Sequence, residues 1–138
     1  MANSRIILRI SYWIGAVLDL LLGIMMIFPQ IFALVAGISG FSPGTDYHYA
    51  GILAGALLIG WAVLLTWADR KPFERKDVFL ITICPVLMGL IINDIIGLAN
   101  GFLLFASTML FLGIKFFLVI LFALSYLKGK ELSSLPPN

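Results

Sequence analysis

Residues 69–77 read Asp69-Arg70-Lys71-Pro72-Phe73-Glu74-Arg75-Lys76-Asp77, seven charges in nine positions, set between two runs, 47–68 and 78–99, that share a single charged residue, Asp94. Each flanking run has 22 residues. At about 1.5 Å per residue a helix of that length covers the roughly 30 Å hydrocarbon core of a bilayer. Working outward, 10–28 and 102–127 are runs of the same kind. Backbone polar groups in lipid must be satisfied within the segment, so each run is predicted to be helical. The runs are too long for barrel strands and lack their alternation. The expected fold is all-α: one domain, 1–138, forming a four-transmembrane-helix bundle.

Composition points the same way. The chain is 62% apolar and 12% charged, with mean hydropathy +1.09. A soluble domain is nearer one half apolar and one quarter charged, and a chain this apolar in water would expose large hydrophobic patches. A net charge of +2 with no basic amphipathic face excludes a nucleic-acid partner. The single cysteine, Cys84, rules out an internal disulfide or a cysteine redox pair. One histidine, His48, cannot supply the usual multi-histidine zinc or bis-histidine haem sites, so neither a metal nor another cofactor is expected.

The breaks between spans follow from local chemistry. Ser42-Pro43-Gly44-Thr45-Asp46 is turn sequence, with Asp46 expected to cap the second span. Gly97 to Gly101 predicts a tight hairpin between the third and fourth. Pro29 is tolerated at a helix start, so 29–38 is expected to form a short separate helix in or near the membrane interface. The tail from Ser133 to Asn138 is expected to be disordered. The first apolar run is longer than a signal-peptide core and carries Asp19, so cleavage is not expected.

Orientation rests on the basic residues. Arg5 and Arg9 precede the first span, Arg70, Lys71, Arg75 and Lys76 join the second to the third, and Lys128 and Lys130 follow the fourth; the two remaining connections contain neither Lys nor Arg. By the positive-inside rule both termini are cytoplasmic, and the chain is a multi-pass protein of the cell membrane with lipid as its first partner. Tyr12, Trp13, Trp67 and Tyr126 near one boundary, and Tyr47 and Tyr49 near the other, suit the aromatic belts.

Three charges fall inside spans: Asp19, Asp94 and Lys115. Each disfavours insertion by about 2.5–3.5 kcal/mol at a helix centre, so each should face protein or a wet cavity. Asp19 is ten residues beyond Arg9 and Lys115 thirteen before Lys128, depths of about 15 and 20 Å from the basic side. Those depths let Asp19 and Lys115 meet near the midplane as an ion pair that fixes helix register, with Asp94–Lys115 the other pairing left open. Asp94, with Asn93, lies about 25 Å from that side and would share an outer vestibule with Asp46, His48 and Asn100. Ser11, Gly15, Asp19 and Gly23 form one stripe where another helix could approach closely. Gly51 and Gly55 form a GxxxG pattern, as compatible with packing inside the bundle as with a homo-oligomer or another membrane protein. Pro85 is expected to bend the third span and free the Ile81 carbonyl, with Thr82 compensating.

Two resemblances follow from particular stretches. Tyr12 to Asp19, YWIGAVLD, loosely resembles the first helix of small multidrug resistance transporters, whose acidic residue exchanges protons for cationic drugs. This chain has Asp where that family has Glu, and carries Lys115 and a long charged loop that do not fit it. FPQIF (28–32), PGTDYHYAG (43–51) and the stretch from Gly60 to Val86 are similar to uncharacterised small four-helix prokaryotic integral membrane proteins, a resemblance that implies a membrane location and no activity. No catalytic constellation is present. The leading expectation is a non-enzymatic membrane protein that is structural, accessory or small-molecule-binding; the alternative is a small proton-coupled transporter using Asp19.

Overall fold

The computed structural model describes residues 2–36, 38 and 41–133. The chain is all-helical: α1 (Ala2–Ile27), α2 (Pro29–Ala36), α3 (Thr45–Asp69), α4 (Asp77–Ile81), a π-helical turn (Thr82–Leu87), α5 (Met88–Ala99) and α6 (Phe105–Ser133). Four stretches are long and apolar enough to cross a membrane: Arg5–Ile27, Thr45–Asp69, Asp77–Ala99 and Phe105–Glu131. They are the four expected spans with shifted ends, since the first starts five residues earlier and the fourth three residues later. Residues 134–138 of the expected disordered tail lie outside the described residues.

Local chemistry sets the boundaries. Pro29 opens α2, where its missing N–H is one of the donors a helix start leaves unpaired anyway. The short helix expected over 29–38 is therefore present, ending at Ala36. Asp46 does not cap α3. Gly44 holds the cap position with no side-chain cap hydrogen bond, and Asp46 lies within the first turn, where its charge still complements the helix dipole. The hairpin after α5 closes as a Schellman motif, with Phe102 N–H donating to Gly97 O at 2.9 Å and Gly101 N–H to Leu98 O at 3.0 Å. Gly101 takes the required left-handed conformation at φ 68°.

Pro85 sits in the π turn. The Thr82 hydroxyl donates to Val78 O at 2.8 Å and accepts from Trp61 Nε1 at 3.2 Å, so the compensation expected at Ile81 is not its role. A π turn adds about one residue to the winding, or roughly 100° of rotation. Thr82 and Asp94, twelve residues apart and both buried, would point about 120° apart on an unbroken α-helix. The inserted rotation brings them onto one face.

The spans pack antiparallel to their neighbours. Along α1 and α3, Arg9 meets Asp69 at one end, and glycines 23, 51 and 55 lie in the contact farther along. Ser11 of α1 shares a 2.8 Å hydrogen bond with Ser125 of α6. Tyr12 stacks on Phe79 at 4.2 Å between centroids, and Phe79 packs on Phe122 at 5.3 Å, which joins α1, α4 and α6. The apolar core gathers Leu8, Tyr12, Ala16, Ala62, Leu65, Ala68, Phe79, Leu87, Leu118 and Phe122. Every one of these residues lies between the middle of its span and the end carrying the basic residues. This cluster fills that half of the bundle, while Ile91 and Leu112 are buried toward the other end.

Candidate functional site

The three intramembrane charges stand just beyond this core. Measured from the centres of their spans, Asp19 and Lys115 are each three residues, about 4.5 Å, and Asp94 is six residues, about 9 Å, toward the end away from the basic residues. They do not pair as depth alone predicts. The Lys115 ammonium donates to the Asp94 carboxylate and lies 3.5 Å from the Leu90 carbonyl oxygen. Both charged side chains are largely sheltered, 15% and 12% exposed. The expected Asp19–Lys115 pair is corrected accordingly. Equal depth makes a contact permissible, but the rotation at the π turn aims Asp94 at α6, and Lys115 is taken there.

Asp19 is left without a hydrogen-bond or ion-pair partner among the described residues, partly buried on the inward stripe of α1. The stripe works as its small residues suggest. A Cβ on Gly15 would come within 2.8 Å of the Phe122 ring and 3.0 Å of Leu65, and one on Gly23 within 3.0 Å of the Gly55 carbonyl. Asp19 is thus bracketed by two positions where α3 and α6 approach closely. Ser11 opposite Ser125 and Gly15 opposite Phe122 set the α1–α6 register. Extending it places Asp19 level with about Leu118, and Lys115 roughly one turn, ~5 Å, farther from the basic end. Gly51 and Gly55 are used inside the bundle: their Cβ positions lie 2.7 Å from the carbonyls of Met26 and Gly23.

The outer residues make no polar contact with one another among the described residues. Asp46 and Asn100 are exposed, His48 is partly buried, and no hydrogen bond or ion pair joins them to one another or to Asp94 among the described residues. Those residues also contain no group of three or more His, Cys, Asp or Glu side chains placed to hold a metal. Asn93 is exposed on α5, turned away from the Asp94–Lys115 pair.

A polar cluster that the sequence reading passed over sits at the basic end. Asp69, buried at the end of α3, accepts from Arg9 Nε at 3.0 Å, Arg9 Nη2 at 3.2 Å and Trp13 Nε1 at 3.3 Å. Tyr12 donates to the Arg75 carbonyl at 2.8 Å. The Arg75 guanidinium lies 3.3 Å over the Trp67 ring and donates to the Trp67 carbonyl. Loop and helix ends are thereby tied together, so the charged connection is more than a topology anchor. One signal was available: Arg9 and Asp69 both lie at the basic boundary of their spans, where an opposite pair can meet.

No protein family, curated protein or solved structure matches the chain. What the fold defines is a membrane-type four-helix bundle; the site must be read from its own chemistry.

Proposed function

We propose that this is a non-enzymatic, small-molecule-binding integral membrane protein whose binding group is the Asp19 carboxyl, exchanging a proton for a small organic cation. The observation that carries the reading is the partnerless carboxyl group on the inward face of α1, next to the end of the apolar core. A carboxyl group at that depth disfavours insertion unless it is neutral or meets a counter-charge. As the neutral acid it carries a proton. When an organic cation enters, the acid releases that proton to water and the carboxylate holds the cation, so the charge within the bundle is unchanged. Lys115 would repel a cation if it were free beside Asp19; its attachment to Asp94 removes that obstacle.

A stronger form of the reading is transport, with the protein as a small proton-coupled exchanger. The near-midplane position of Asp19 favours it, because transporters place coupling sites there. The resemblance of Tyr12–Asp19 to small multidrug resistance transporters agrees.

The test is proton release from purified, detergent-solubilised protein on addition of tetraphenylphosphonium, a lipophilic cation. Release approaching one proton per bound cation is expected from the wild type and none from Asp19→Asn, with release retained in the Asp94→Asn/Lys115→Met double variant, which removes the other carboxylate without freeing an ammonium group. Binding without release, or release unaffected by Asp19→Asn, would reject the assignment. Counterflow of the same cation in vesicles then separates transport from binding alone.

A further inference from the structure

Polar side chains within the spans of this protein are, with few exceptions, satisfied internally. Ser11 pairs with Ser125, Trp61 with Thr82, and Lys115 with Asp94, while Thr66 and Thr108 donate to carbonyls one turn back at 2.9 and 2.8 Å. Asn93 is different. It is exposed on the outer surface of α5, with no hydrogen bond among the described residues. It lies five residues, about 7.5 Å, from the centre of the Asp77–Ala99 span, well inside a hydrocarbon core that extends about 15 Å either side of the midplane. An amide facing lipid there has neither water nor protein to bond.

Its surroundings suit close approach of another helix. Gly89 and Asn93 stand four residues apart on α5 and are both exposed. A Cβ on Gly89 would meet nothing within 4 Å, so none of the described residues covers this position. A polar side chain beside small residues on a lipid-facing stripe is the composition of a helix–helix contact in membranes.

We infer that the Gly89–Asn93 face of α5 is the contact surface for a second copy of this chain, related by a two-fold axis. The amide selects the occupant. Asparagine carries both donors and an acceptor, so it is complementary to itself. A two-fold axis near Asn93 puts each amide opposite its twin at the same depth, and both are satisfied by one isologous contact. A purely apolar partner helix would leave the amide unbonded, and a lipid chain does the same. The inference does not depend on Asp19, which lies on the inward stripe of α1.

Dilution in bilayers tests it. Fluorescently labelled full-length protein is reconstituted in phosphatidylcholine vesicles, and dimer content is followed by single-molecule photobleaching across a range of protein-to-lipid ratios. A reversible dimer is expected. Asn93→Leu, which fills similar space without the amide, should weaken association by about 3- to 20-fold. Gly113→Leu, on an open position of α6, should leave it unchanged. As a check that does not depend on affinity, Asn93→Cys in a Cys84→Ala background should form a disulfide-linked dimer on mild oxidation. A monomer at every ratio, a dimer indifferent to Asn93→Leu, a dimer lost instead in Gly113→Leu, or no cross-link through position 93 would each overturn the inference.

Discussion

Lys115 of α6 is bound to Asp94 of α5, and this leaves Asp19 of α1, at a similar depth in the bundle, without a counter-charge among the described residues. The two acidic residues therefore have different work. Asp94 neutralises a lysine and locks the third and fourth spans in register. Asp19 is chemically available. The division follows from the π turn, which rotates α5 until its carboxylate faces α6.

The first prediction concerns that lock. Removing one partner from a sheltered ion pair leaves the other charge uncompensated, so Lys115→Met or Asp94→Asn should each lower stability by about 3 kcal/mol. The double variant should recover most of the loss. Asp19→Asn combined with Lys115→Met should show no such recovery. Thermal unfolding in detergent micelles, run as a double-mutant cycle, measures both; a recovery with Asp19 and not with Asp94 would mean the pairing is wrong.

Close packing of α1 on α3 gives a second. A Cβ at Gly55 would stand 2.7 Å from the Gly23 carbonyl and 2.6 Å from Ile27, whereas one at Gly60 meets nothing within 4 Å. Gly55→Ala should therefore destabilise by about 1–3 kcal/mol. Gly60→Ala should be neutral or gain up to about 1 kcal/mol through helix propensity. Equal effects at the two positions would contradict the observed face of α3.

A third separates the two kinds of charge at the basic end. Asp69 is 8% exposed and receives three hydrogen bonds from Arg9 and Trp13, while the Lys71–Glu74 pair is 56% and 67% exposed. Asp69→Ala should lower the melting temperature clearly, because it removes a buried acceptor and with it three hydrogen bonds that tie α1 to the end of α3. Lys71→Ala should fall within about 0.5 kcal/mol of wild type. Melting curves of the two variants, collected side by side, decide the matter.

The four spans were legible because lipid imposes a length and an apolar content that few soluble helices share. The break at Pro29, the helical pair around Gly97 to Gly101 and the stripe from Ser11 to Gly23 were equally readable, since each depends on neighbours in sequence or on a plain helical repeat. Adjacency was not. Depth puts Asp19, Asp94 and Lys115 in the same part of the membrane, but which helix lies beside which is a property of packing. Past Thr82 the face of each residue also departs from the regular 100° step. Asn93 and Asp94 exchange the roles that an unbroken helix would assign them, and Asp69 looked like one more loop charge until α1 was seen to bring Arg9 and Trp13 to it.

The most direct measurement is infrared difference spectroscopy of the protein in vesicles, following the carboxylic-acid carbonyl band as pH is varied. A titrating band that vanishes in Asp19→Asn and persists in the Asp94→Asn/Lys115→Met double variant is the expected result. A band that survives Asp19→Asn, or the absence of any titrating carboxylic acid within the membrane, would show that Asp19 does not carry the exchangeable proton.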